Sequence, residues 1–285
     1  MLDQADKLRD LVNTKEQSKH SEARIVTITS GKGGVGKTSF AVNFSIALAQ
    51  MGKKVILIDA DFGLANVDVL LGSTTEYDLS YVIRGEKTVQ QIIGKGKGGI
   101  RYISGGSGVL DLINADSAAM NDAIEQLCAL SKDADIVIFD TGAGINDDIM
   151  RLVRASDDTI LMITSEPTSI VDAFAMIKSI DAYVGKCNLG MVVNRADTIL
   201  DALAIAKNFN VILEKYIGAR VDLLGYICFD KSVEKAIKMQ EPFVLSFPRS
   251  LATENIRQIA CKFIDVDIGR RGGFRRFLDM LRKKD

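Results

Sequence analysis

Hydrophobic and polar positions change their texture once near the start of the chain and once near its end. Residues 1–24 are polar and lack glycine and proline, and Leu2, Ala5, Leu8 and Val12 recur at helical spacing. That spacing predicts a short amphipathic helix, marginal by itself in water, followed by a polar linker over 13–24. From Ile25 onward, apolar runs of strand length alternate with longer helical stretches. The runs predict strands at 25–29, 54–59, 99–104, 135–139, 158–164, 189–194 and 223–228. Helical periodicity falls between them at 39–50, 117–130, 169–184, 200–216, 232–238 and 251–263. The strands are almost continuously apolar, as strands covered on both faces are. Such a βα alternation predicts an α/β fold, a three-layer sandwich with a mostly parallel central sheet. Ligands of such sheets sit at the carboxyl ends of the strands. No internal repeat is found.

Residues 265–273 (DVDIGRRGG) read as a hinge. Beyond it Phe274, Phe277, Leu278 and Leu281 recur at i, i+3, i+4 and i+7, one face of a helix. The chain thus divides into an N-terminal helix and linker over 1–24, a single α/β body over 25–264, and a hinge with an amphipathic helix over 265–285.

Composition sharpens this division. With 285 residues, 47% of them hydrophobic, there is material for one large core. The formal net charge of −1 creates no global field for nucleic acid. Residues 270–285, however, hold seven basic and two acidic side chains, so the rest of the chain carries about −6. Arg275, Arg276, Arg282, Lys283 and Lys284 flank the apolar face, a pattern that suits a helix lying in an anionic membrane surface. A helix docked on the body, or a solvated basic tail, is the bland reading of the same residues. The four cysteines, Cys128, Cys187, Cys228 and Cys261, form no CxxC pair and signal no zinc or iron–sulfur site. The N-terminus has no apolar signal core, and no apolar run approaches the roughly 18 residues of a membrane span. The expected location is cytoplasmic.

Chemistry enters after the first strand. Gly31, Lys32, Gly33, Gly34, Val35, Gly36, Lys37 and Thr38 match G-x-x-x-x-G-K-[ST], with Ser39 opening the helix that follows. Glycines let the backbone wrap a phosphate chain without Cβ clashes. Successive N–H groups then form an anion nest at a helix N-terminus. In this motif Lys37 reaches the β and γ phosphates and the Thr38 hydroxyl binds Mg²⁺, so ATP/ADP with Mg²⁺ is the expected ligand. Two further strands end in carboxylates: 55–59 in Asp59, with Asp61 two residues on, and 136–139 in Asp140. Asp140 reads as the Walker B aspartate that holds Mg²⁺ directly or through water.

Lys32 carries the resemblance. K-G-G-V-G-K-T resembles the deviant Walker A motif of the MinD/ParA class of P-loop ATPases, in which the extra lysine reaches across a dimer to the partner's ATP. The stretch D-A-D-F-G-L-A-N-V-D, with Gly63 in its loop, resembles the family's switch I. By that resemblance Asp61 positions the attacking water and Asp59 supports the metal shell, while Lys32 and Lys37 serve the transferred phosphate. Phosphoryl transfer rests on positioning and charge more than on a strong base. Thr141-Gly142-Ala143-Gly144 stands as switch II; glycine at 142, where the wider family often has proline, is similar to the flagellar-number branch and would give the loop added mobility. Asn194 and Arg195, ending a late strand, resemble the family's adenine-contacting pair. Phe229-Asp230 follow the last strand where relatives often carry a proline-containing loop.

The N-terminal D-Q-A-D-K-L-R resembles the activator motif of the FlhG (YlxH/FleN) branch. The resemblance implies docking on the signal-recognition-type GTPase FlhF, with Gln4 presented to the partner's active site and Leu8 and Arg9 as anchors. It further implies an ATP-bound homodimer and assembly with flagellar C-ring proteins of the FliM/FliN/FliY type. Peripheral attachment to the inner face of the cell membrane when ATP is bound would follow, two anchors on a dimer gaining avidity. Two alternatives share the ATPase core: a MinD-type cell-division site regulator, and a ParA-type DNA-partitioning ATPase, which needs a basic surface on the dimer body that this acidic body does not offer. No specific nucleic acid is expected. A metal-cluster carrier would need the cysteine pair that is missing.

Overall fold

The computed structural model describes residues 23–61, 66–105 and 133–265, together with the single residues Gln126 and Arg276. The terminal segments carrying Gln4, Leu8 and Arg9 and Phe274, Phe277, Leu278 and Leu281 lie outside these residues. So do Gly63, Cys128 and, except for the helical Gln126, the helix expected over 117–130.

The chain alternates between strand and helix. It runs from β1 (Arg24–Thr29) through α1 (Lys37–Gln50) to β2 (Val55–Ala60) and the short helices α2 (Asn66–Leu71), α3 (Leu79–Ile83) and α4 (Val89–Ile92). The two-residue β3 (Gly94–Lys95), β4 (Arg101–Ile103) and β5 (Ile136–Thr141) follow. Next come α5 (Asp147–Ala155), β6 (Asp158–Thr164), α6 (Pro167–Tyr183), β7 (Leu189–Ala196), α7 (Ile199–Tyr216) and β8 (Asp222–Cys228). The helices α8 (Lys231–Lys238), α9 (Phe243–Ser246) and α10 (Leu251–Asp265) complete the body.

The strands form one eight-stranded sheet in the order β3-β4-β2-β5-β1-β6-β7-β8. Every pair is parallel except β3 with β4. The seven strands read from apolar runs are all present, 158–164 at the expected bounds and the others with an end shifted by one or two residues; the run at 99–104 contributes only Arg101–Ile103, because Lys97–Gly99 form a 3-10 turn with Gly98 at φ 72°. The sequence reading missed α5 and the short helices α2, α3, α4 and α9. In α5, only nine residues long, the apolar positions Ile149, Met150, Leu152 and Val153 fill little more than one turn, too little for periodicity to stand out.

Alternation sets the two faces of the sheet. Val26 and Ile28 of β1 join Leu57, Ile138, Ile160 and Val192 in the core under α1 and α10. Ile25 faces the other layer with Ile56 and Val137. Helix α1 is buried from Phe40 to Leu48 because α10 covers its outer side. Phe40 stacks on Phe44 at 5.1 Å, and Phe44 meets Phe263 edge-on at 5.4 Å. Each such ring contributes about 1.5–3 kcal/mol on burial. At the amino end of the sheet Arg24 clamps the body shut. It pairs with Asp158 through Nε at 2.6 Å and Nη2 at 3.1 Å, donates to the Phe263 carbonyl and lies 3.8 Å over the Phe263 ring. Arg276 reaches the same end, donating to the Ser156 carbonyl and to Asp157. Cys187, Cys228 and Cys261 are free thiols. Among the described residues no helix is long and apolar enough to cross a membrane.

Candidate functional site

The sheet brings three loops to one place because β2, β5 and β1 are neighbours. The loop after β1 is the glycine-rich one. Gly34 and Gly36 sit at φ 77° and 94°, left-handed values that side chains resist, and Gly36 is the N-cap from which α1 starts. Gly36 is also cramped: a Cβ there would fall 2.5 Å from the Asn194 side-chain nitrogen. Gly31 has no room either, since a Cβ would fall 2.2 Å from the Asp172 carbonyl of α6. Gly33 and Gly34 are exposed and Val35 is buried beneath them. Two turns of the motif thus carry two different constraints, conformation at Gly34 and space at Gly31, with both at Gly36.

The two lysines of the loop point apart. Lys37 is buried and donates to Ser30 Oγ at 2.9 Å, while Ser30 Oγ itself donates to the Lys32 carbonyl at 2.7 Å. Burial pushes the Lys37 ammonium below its usual range, against the pull of Asp140 and Asp61. Lys32 turns outward to α6, where its Nζ lies 2.5 Å from Glu166 Oε2 and 2.6 Å from Thr168 Oγ1.

Asp59, Asp61 and Asp140 gather beside Lys37. Asp59 is buried and accepts from the backbone N–H of Asp61 (3.1 Å) and Val67 (3.2 Å). Burial raises its carboxyl to about 6, the two backbone bonds opposing. Asp140 is fully buried, and neither carboxylate oxygen has a hydrogen-bond partner. Its carboxyl is pushed up to about 8 by burial first and by Asp59 second, while Thr38 and Lys37 draw it down. A buried carboxylate without a partner is costly. The donor set fits a hard divalent cation, because hydroxyl and carboxylate oxygens of Thr38, Asp59 and Asp140 converge and two of them are orphaned. Among the described residues no three His, Cys, Asp or Glu side chains form a protein-only cage; magnesium is ordinarily held by one or two carboxylates together with phosphates.

Asp61 is tied down by a residue to which the sequence reading gave no role. Asn66, at the start of α2, donates its side-chain amide to Asp61 Oδ2 at 3.1 Å. On its other side Asp61 meets switch II: a Cβ on Gly142 would fall 2.9 Å from Asp61 Oδ1. Gly142 has no left-handed φ, so the structure gives it a spatial reason beside the mobility expected of glycine. Gly144, at φ 91°, donates its N–H to the Ser30 carbonyl at 3.1 Å, so switch II rests on the root of the P-loop.

The third part is a cavity of about 250 Å³ lined by Gly36, Ser39, Asn194, Arg195, Phe229 and Ile237, among others. Asn194 is fixed by donating to the Val35 carbonyl at 2.7 Å, and its own oxygen accepts from the Arg195 N–H. Arg195 takes a left-handed φ of 56° at this corner. The Phe229–Asp230 turn stands without proline because Asp230 does the shaping: its carboxylate accepts from Ser232 N at 2.8 Å and Ala252 N at 3.1 Å, capping α8 and securing the start of α10. Phe229 is half exposed on the rim, and Val233 and Ile237 line the cavity. Periodicity and motif spacing carry no signal for Ser30, Asn66, Glu166 or Thr168.

Comparison with known proteins gives a consistent picture. Residues 26–243 match the CbiA family, described as the CobQ/CobB/MinD/ParA nucleotide binding domain. The chain is 34% identical over 248 residues to the antiactivator FleN of Pseudomonas aeruginosa, covering 87% of this chain and 89% of that one. It is 31% identical over 267 residues to the flagellum site-determining protein YlxH of Helicobacter pylori, covering 91% and 90%. Among solved structures, the MinD cell division protein of Aquifex aeolicus superposes with a TM-score of 0.69 at 28% identity, over 86% of this chain and 99% of that one.

Proposed function

We propose a function for this chain, which belongs to the CobQ/CobB/MinD/ParA nucleotide-binding family and is an ATPase of that family: it is an ATP-driven dimerisation switch that regulates the number and placement of flagella. The flagellar part of this reading rests on the likeness to FleN and YlxH across nearly the whole chain. The switch part is carried by one observation. The P-loop holds two lysines with opposite destinations, Lys37 turned into the phosphate nest and Lys32 turned out to the surface. Lys32, held outside its own subunit's phosphate nest, fits a contact made in trans.

In this reading the glycine-rich loop and Lys37 cradle the triphosphate, and Ser39, Asn194 and Arg195 border the base. Thr38, Asp59 and Asp140 would hold Mg²⁺, which supplies positive charge to the phosphate oxygens. Asp61, steadied by Asn66, orients a water for in-line attack; positioning accounts for the rate here, as phosphoryl transfer asks little covalent chemistry of the protein. Lys32 then contributes in trans, to the partner copy's phosphates, so hydrolysis needs the dimer. The nucleotide state is read out at the two ends of the chain. The N-terminal segment with Gln4, Leu8 and Arg9 engages the GTPase FlhF, and the C-terminal segment with Phe274, Phe277, Leu278 and Leu281 attaches the dimer to anionic membrane. C-ring proteins of the FliM/FliN/FliY type are its assembly partners.

The test is to measure oligomeric state and liposome binding with ADP and with ATP, side by side. Dimers and liposome binding with ATP alone support the reading, and removal of residues 274–285 should abolish liposome binding while leaving nucleotide affinity intact. A chain that stays monomeric with ATP sinks it. The partner is tested by GTP hydrolysis of purified FlhF with a peptide of residues 1–20; no stimulation, or no loss on Gln4→Ala, removes the N-terminal assignment.

A further inference from the structure

Lys32 does not wait free at the surface. Its ammonium donates to Glu166 Oε2 at 2.5 Å and Thr168 Oγ1 at 2.6 Å, both at the amino end of α6. We propose that Glu166 and Thr168 are positioning residues for Lys32, holding it against its own subunit so that pairing of two ATP-bound copies must first draw it away. This rests on the dimer reading above and adds to it the residues that set its threshold.

Three observations carry the proposal. The first is that Glu166 is not needed by its own helix. It occupies the N-cap of α6, yet its side chain makes no capping hydrogen bond. The Thr164 N–H, at the end of β6, donates to Ser169 Oγ at 3.0 Å, and Pro167, which has no N–H to cap, starts the helix. The carboxylate is therefore spent on Lys32, which holds it below the usual carboxylate range by hydrogen bonding first and charge second.

The second is the location of the ammonium. An α-helix N-terminus carries partial positive charge and offers only N–H donors. Nothing in the backbone there attracts a lysine. Glu166 and Thr168 supply the acceptors, and loss of the Glu166 charge leaves Lys32 beside a repulsive helix end. This decides the sign of the effect: a neutral residue at 166 releases the lysine.

The third is that the loop and the helix are in direct backbone contact. Gly31 lies flush against the Asp172 backbone, with no space even for a methyl group. Lys32 thus leaves by swinging its side chain, and the P-loop it stands on stays in place for the nucleotide. Arg195 also lies close enough to lower the Glu166 carboxyl, so the carboxylate is not left without a neighbouring cation when Lys32 departs.

The pair is exposed, with side chains 33% and 55% accessible, and exposed pairs are individually weak. A two-fold dimer breaks two of them, however. Freeing both lysines should tighten the dimer by roughly two- to thirty-fold.

The test measures the dimer dissociation constant in a non-hydrolysable ATP analogue and Mg²⁺ for the wild-type chain, Glu166→Gln, Thr168→Val and Lys32→Ala, with nucleotide affinity of the dilute monomer in parallel. Tighter dimers for Glu166→Gln and Thr168→Val, unchanged monomer affinity, and no rescue by Glu166→Gln in a Lys32→Ala background support the proposal. If Lys32→Ala loses pairing but Glu166→Gln pairs no more tightly than wild type, the proposal is overturned and the dimer reading stands. Rescue of Lys32→Ala by Glu166→Gln also overturns it, because the glutamate then acts without the lysine. If Lys32→Ala pairs as wild type does, the trans role of Lys32 fails and this proposal with it.

Discussion

Asp59 and Asp140 are register partners across the parallel β2–β5 pair, so two carboxylates are buried side by side at one end of the sheet. Burial raises Asp59 to about 6, with Asp61 and Asp68 adding repulsion, and burial together with the charge of Asp59 raises Asp140 to about 8. The folded chain therefore keeps protons that the unfolded chain releases near pH 4. Without nucleotide and metal, the contribution of these two groups to stability is full below that pH and is lost as pH rises through the two folded values.

Replacing Asp140 should expose this cost. Asp140→Asn should stabilise the nucleotide-free protein in a chelator by on the order of a few kcal/mol at pH 8 and by less at pH 5, seen as a higher melting temperature. The same change should lower ATP hydrolysis with magnesium at least 100-fold, since the buried oxygens no longer favour a cation. Thermal melts across pH and a phosphate-release assay check both halves. A variant that is less stable than wild type at pH 8 would contradict the buried-charge account.

Gly142 tests the contact between the switches. A methyl group there would stand 2.9 Å from Asp61 Oδ1. Gly142→Ala should displace the Asp61 carboxylate and cut kcat roughly ten- to 100-fold, as a misplacement of about 1 Å does, with nucleotide affinity retained. Asp61→Ala, by comparison, should bind ATP and accumulate as a dimer. Steady-state kinetics and nucleotide binding separate the two; equal loss of affinity and rate in Gly142→Ala would point to a collapsed P-loop instead.

Asn66 holds Asp61 at 3.1 Å from the far side. Asn66→Ala should lower kcat about tenfold and leave KM near the wild-type value, because the orientation of the attacking water matters only in the transition state. A change confined to KM would assign Asn66 to nucleotide binding.

Gly36 bears both a left-handed backbone and the close approach of Asn194. Gly36→Ala should destabilise the protein by about 1–3 kcal/mol and weaken nucleotide binding, as the Asn194 amide is driven off the Val35 carbonyl. Gly52, equally left-handed at φ 83° but with nothing within 4 Å, is the control. Gly52→Ala should cost stability alone.

What the sequence could determine is what depends on near neighbours in the chain. Continuous apolar runs such as 158–164 became strands at the same bounds, since a strand's burial on both faces is written in consecutive residues. The phosphate loop was legible for the same reason: its chemistry lies in one run of nine residues, and its glycines are demanded by local backbone shape. The carboxylates Asp59 and Asp140 could be named because each ends an apolar strand.

Only the tertiary structure decided how these pieces meet. That β5 slots between β2 and β1 makes Asp59 and Asp140 neighbours and leaves Asp140 without a partner. No spacing along the chain encodes that adjacency. The space beside Gly142, the amide of Asn66 on Asp61, and the grip of Glu166 and Thr168 on Lys32 across 134 and 136 residues are likewise products of packing. A motif fixes the shape of one loop; charge pairing between distant segments depends on which strands lie side by side, and burial then sets what each charge costs.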